Sequence, residues 1–128
     1  MKTQKILPPC QRRYPRLLFI EHSRVLNDSG YRHFACVLYN GHIIGFINQG
    51  QQHAEFRLVR ELKRRRLTFR EISNLTVYIF RGKKNPKTNQ NELGMSRPCK
   101  MCTSILLRYG ISRIIYTNRD GIPVLEKL

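Results

Sequence analysis

Acidic residues are scarce in this chain: 8 Asp and Glu stand against 24 Lys and Arg, a net charge of +16 over 128 residues. That imbalance favours polyanionic partners, whose approach it accelerates and whose binding it makes salt-dependent. Cysteine is also sparse. Four thiols cannot make a disulfide framework once two are committed elsewhere, and a reducing compartment is their natural home. Long apolar runs are missing, which excludes a helical membrane span. The opening MKTQKILPPCQRRYPR holds too short an apolar segment for a signal peptide, and Pro8-Pro9 interrupts it. There is no internal repeat and no low-complexity tract. The expectation is a soluble intracellular protein. It has one domain over residues 14–128, behind a basic flexible arm at 1–13 that holds Arg12, Arg13 and the exposed thiol of Cys10. Apolar residues make up 41% of the chain, enough for a core of modest margin.

What the chain does contain is a divided constellation. His53-Ala54-Glu55 is followed, 46 positions after the histidine, by the cysteine of Pro98-Cys99-Lys100-Met101-Cys102. One imidazole and two thiolates are three protein ligands, and three leave one tetrahedral position of a zinc ion open, as catalytic sites do. The spacing H-x-E…P-C-x-x-C is the known signature of zinc nucleobase deaminases. Hydrolytic deamination needs hydroxide near neutral pH, which zinc supplies by acidifying water. It also needs a carboxylate that is not a ligand and can carry a proton from the nucleophile to the leaving nitrogen, and Glu55 is spaced for that. Residues 53–66 read as a helix, with Ala54, Leu58 and Leu62 on one stripe. Pro98 reads as the opening of a second helix that carries Cys99 and Cys102 on one face. A closed structural site would need a fourth ligand. Cys10 and Cys36 are the spare thiols, and neither has a C-x-x-C partner. His22, His33 and His42 read as ordinary surface or strand histidines.

Around these motifs the chain reads as a first helix at 17–26, then two β-rich runs joined at Asn40-Gly41, the strongest hairpin signal a sequence offers. Cys36 reads as core. Residues 68–74 connect the zinc helix to a third strand. The polar stretch 82–94 reads as an exposed loop at the mouth of the site. Gly110 stops the second zinc helix. A strand at 112–117, a tight turn at 118–121 and a short strand at 122–125 follow. So short a turn makes the last two strands antiparallel, since a parallel return needs a crossover of a dozen or more residues.

From about residue 15 onward the chain resembles the cytidine deaminase superfamily. The resemblance rests on YRHFACVLY, Asn40-Gly41 and HIIGFIN for its first hairpin, LTVYIFR for its third strand, SRPCKMC for its second zinc motif and YGISRIIY for its turn into the fourth strand. It implies a three-layer α-β-α fold with a mixed five-stranded sheet and an antiparallel last pair. It also implies one catalytic Zn2+ on His53, Cys99 and Cys102, with Glu55 as proton shuttle. Substrate contacts are implied for Asn48, Ala54, Arg97, Tyr116, Asn118 and Arg119. Asn48 can equally be read as a plain loop asparagine, and Tyr116 as an end-of-strand core residue. The connection from Asn48 to His53 is shorter than free-nucleoside enzymes of this family carry.

The expected function is therefore hydrolysis of cytosine to uracil. Antiparallel endings resemble the cytosine-directed members, whereas tRNA adenosine and dCMP deaminases place a helix there. Single-stranded nucleic acid, DNA over RNA, is the favoured substrate. Its backbone is expected on Arg57, Arg60 and Arg64 of the first zinc helix and on Lys83, Lys84 and Lys87 after the third strand. One alternative is a free cytidine or dCMP deaminase, which would be a homo-oligomer rather than a monomer. The other is a non-catalytic zinc protein that binds nucleic acid, for which Glu55 would be idle.

Overall fold

The computed structural model describes residues 3–8, 32–49, 52–84, 87 and 91–128. The expected first helix at 17–26, Cys10 and the arginines at 12, 13 and 16 lie outside the described residues.

After β1 (Thr3–Ile6), alternation of apolar residues gives two hairpin strands, β2 (Arg32–Tyr39) and β3 (His42–Ile47). Asn40 and Gly41 join them with φ of 51° and 78°, the left-handed pair that a two-residue turn requires. Gly45 is needed because the Phe34 ring crosses it. A Cβ there would meet Phe34 Cζ at 2.5 Å and Cys36 Cβ at 2.9 Å. α1 (Ala54–Arg64) follows, burying Ala54, Leu58, Val59 and Leu62. Next comes α2 (Phe69–Ser73), where a connection was expected. Thr68 and Glu71 form a reciprocal capping box there, each satisfying a backbone N–H of the other. β4 (Thr76–Lys84), β5 (Asn91–Leu93), α3 (Lys100–Tyr109), β6 (Arg113–Thr117) and β7 (Pro123–Lys127) complete the order. Gly110, at φ 112°, ends α3.

The sheet is open and mixed. Six strands run in the order β1-β7-β6-β4-β2-β3, and β5 pairs with the far end of β4. β4 and β6 are parallel, while β6 and β7 are antiparallel, joined through Asn118, whose Oδ1 accepts from the backbone N–H groups of Asp120 and Ile122. Two features depart from the five expected strands. β1 (Thr3–Ile6) was assigned to the mobile arm, yet it pairs along β7 in antiparallel register, Gln4 opposite Glu126. The stretch 82–94, expected to be a loop, instead extends β4 to Lys84 and returns as β5, with Gly82 opposite Leu93. In both places unpaired strand edge was available, and ladder hydrogen bonds outweigh weak local propensity.

Side-chain alternation sorts the sheet into two faces. One carries Ala35, Val37, Val77, Ile79, Ile114 and Val124 against Leu58 and Leu62 of α1, Ile72 of α2 and Leu106 of α3. The other carries a smaller cluster of Phe34, Cys36 and Phe80. All three described helices lie against the first face. This is the side on which β2 and β4 also present His33 and Arg81, two steps before Ala35 and two after Ile79. Among the described residues no helix is long and apolar enough to cross a membrane.

Candidate metal centre

Two helix starts converge above this face. His53 is the N-cap of α1 and Cys99 the N-cap of α3, so Pro98 precedes the helix rather than opening it. His53 Nδ1 lies 3.9 Å from Cys99 Sγ and 3.2 Å from Cys102 Sγ. The three ligand atoms all fall within 4.8 Å of one another, close enough to share one metal ion. Cys102 N–H donates to Cys99 Sγ at 3.5 Å. Burial, and then the nearby Glu55 carboxylate, push the Cys102 thiol well above its ordinary value.

The segment leading to Cys99 is fastened from below. The buried Ser96 hydroxyl donates to the Ile79 carbonyl at 2.8 Å and accepts the Thr117 N–H at 2.7 Å, while Ser96 N–H donates to the Thr117 carbonyl. These bonds tie the approach to α3 across the ends of β4 and β6. On the other side, Gln49 and Gln52 exchange both backbone hydrogen bonds, which tightens the short connection into His53.

Beside the cluster opens a cavity of about 370 Å³ lined by His33, Asn48, Gln52, Glu55, Arg81 and Arg97, together with His53 and Cys99. Glu55 sits in the first turn of α1, 2% exposed, and its Oε1 has no hydrogen-bond partner among the described residues. A buried carboxylate oxygen in that state is costly unless something else occupies the cavity. Asn48 is fixed rather than loose: its Oδ1 accepts the His33 N–H at 3.0 Å, and its own N–H donates to the His33 carbonyl at 3.1 Å. His33 faces the cavity. Burial lowers its pKa, opposed by the Glu55 carboxylate and aided by Arg81.

Of the residues picked from sequence, the cavity wall includes His53, Ala54, Glu55, Asn48, Arg97 and Cys99, with Cys102 buried beneath. Others lie elsewhere. Tyr116 is 3% exposed in the core, and Asn118 spends its side-chain oxygen on the turn; both border a neighbouring cavity. Arg119 is exposed at the turn tip. Arg57 turns inward to donate to the Ile47 carbonyl at 2.7 Å and lies over the Phe46 ring. Arg64 pairs with Glu61, and Arg60 reaches over Phe56 along the outer side of α1. Lys87 is exposed, and the side chains of Lys83 and Lys84 lie outside the described residues. The cations of the cavity wall are instead Arg81 and Arg97.

Sequence reasoning passed over His33, Arg81 and Ser96 as site residues. For His33 the signal was present: a two-residue turn at Asn40-Gly41 fixes the register that sets position 33 opposite 48. No protein-family model matches this chain, and no curated protein matches it significantly. The geometry alone therefore carries the functional argument.

Proposed function

We propose that this chain is a zinc-dependent hydrolase converting cytosine to uracil, with cytosine in single-stranded nucleic acid as substrate. The observation that carries the reading is Glu55: a buried carboxylate with one unpartnered oxygen, facing a nucleoside-sized cavity, next to a His-Cys-Cys set of which it is not a member. A closed structural metal site has no use for it.

The donor set suits zinc. Tetrahedral geometry with bonds of about 2.0 Å to nitrogen and 2.3 Å to sulfur places N and S about 3.5 Å apart. The observed 3.9 and 3.2 Å bracket that value. Zinc held there would acidify water and so supply the nucleophile near neutral pH. Glu55 Oε1 would carry both water protons, one to ring N3 as oxygen bonds to C4 of cytosine and one to the amino nitrogen as the C4–N bond breaks, so that ammonia leaves and uracil holds N3–H. Asn48, braced by the His33 backbone, is placed to hold the sugar or the base edge. Arg81 and Arg97 would meet phosphate at the rim, and the antiparallel β6–β7 ending is in keeping with cytosine rather than adenine.

The test is uracil formation by zinc-loaded protein offered single-stranded DNA, RNA, duplex DNA, cytidine and dCMP in parallel, with Glu55→Ala as blank. Uracil in a polymer that disappears in the variant establishes the reading. Turnover of cytidine or dCMP alone replaces the polymer by a free nucleotide, and no uracil from any substrate removes the deaminase.

A further inference from the structure

Glu126 is a buried acid for which the chemistry above has no role. It sits mid-strand in β7 at 0% exposure, on the face that also holds Ile114 and Val124, where an apolar residue would ordinarily stand. Burying a carboxylate is unfavourable unless its partners compensate. Three are drawn from distant parts of the chain. Arg97 donates from Nε to Oε1 at 3.1 Å and from its Nη2 to Oε2 at 3.4 Å. Gln4 Nε2 of β1 donates at 2.7 Å, and the Tyr116 hydroxyl donates at 3.4 Å.

Arg97 stands in the wall between two cavities. One is the metal-site cavity. The other, about 390 Å³, is bounded by Gln4, Lys5, Met95 and Asn118. Two of its five N–H donors go to Glu126, and the side chain remains 34% exposed. A guanidinium held along one edge presents its outer donors in a fixed direction, the geometry that recognises phosphate.

We propose that Glu126 is a positioning residue that holds Arg97 as a fixed docking point for a backbone phosphate, where the strand crosses from one cavity to the other. The inference rests on the reading of single-stranded nucleic acid as substrate. It makes β1 part of the binding apparatus through Gln4.

The sign of a charge effect tests it. Glu126→Gln raises the net charge by one, so attraction by overall charge alone would tighten binding to DNA. Positioning requires the opposite. By fluorescence anisotropy with a labelled single-stranded oligonucleotide, the full-length zinc-loaded Glu126→Gln protein should bind about tenfold more weakly. Its log–log salt slope should be shallower by about 0.7, one phosphate contact. Arg97→Lys, which keeps the charge but loses the fork, should match it, and Arg97→Ala/Glu126→Gln should bind no worse than Arg97→Ala. Parent-like or tighter binding by Glu126→Gln overturns the proposal. If circular dichroism shows that variant unfolded, Arg97→Lys decides: parent affinity overturns, a weaker and shallower salt dependence supports. No uracil formation by the parent protein, with these binding shifts intact, would remove the deaminase alone.

Discussion

Glu55 illustrates how much one side chain carries. Its Oε1 is buried in the first turn of α1 and unpartnered among the described residues, so the cavity must supply what those residues do not. Glu55→Gln, nearly isosteric, should cut kcat roughly 1,000-fold while zinc content by atomic absorption stays at the parent level. A variant that retained its rate would end the proton-shuttle role. Cys36 makes a contrasting case. Burial alone pushes its thiol up to about 12 from 9.0. A raised folded pKa contributes stability below the unfolded value and loses it as pH climbs, so unfolding free energy should begin to fall above about pH 9. Cys36→Ala should flatten that alkaline limb in denaturant titrations repeated across pH, and an unchanged limb would refute the assignment. At this scale sequence spacing sufficed to group His53, Cys99 and Cys102, because metal-ligand chemistry is tied to residue type. Charge, by contrast, does not reveal direction: the Arg57 guanidinium goes to a β3 carbonyl.

Elements are where local signals and long-range pairing compete. α2 has five residues, too short to stand on propensity, and its capping box was legible as Thr-x-x-Glu at 68–71. Thr68→Ala should cost about 1 kcal/mol, read from denaturant midpoints with an unchanged slope. Gly110→Ala should cost more, about 1–2 kcal/mol, since φ of 112° strains any side chain and the new Cβ would sit 3.1 Å from Ile72 Cγ2. Should Gly110→Ala prove as stable as the parent, the left-handed stop on α3 would be wrong. β1 and β5 escaped the sequence reading for one reason. A strand of four residues and one of three carry almost no periodicity, and each is stabilised by a neighbour, 118–124 positions away for β1 and 7–11 for β5, rather than by its own composition.

For the whole molecule, the sheet works as a frame. α1 and α3 start on the same side of it, one after β3 and one after the β4–β5 hairpin, and each brings part of the metal set. An ion held by the three residues would couple to the packing of the two helices. Stripping metal with a chelator should lower Tm by more than about 5 °C, with zinc restoring it. A Tm indifferent to both treatments would mean the three ligands hold no structural ion. The charge of +16 would act at this scale as well, through long-range attraction, yet Arg60 and Arg64 lie along the outer flank of α1 and the cavity has its own pair, Arg81 and Arg97.

Sequence by itself determined the His53, Cys99 and Cys102 group, the hairpin with its two-residue turn and the antiparallel ending, because each depends on residue type and local spacing. Only the tertiary structure decided that residues 3–6 join the sheet and that His33 and Arg81 face the metal-site cavity. The same holds for Glu126, joined to Arg97 at a sequence separation of 29. Those contacts link positions far apart in the chain, and no local pattern encodes a partner that only the folded sheet brings near.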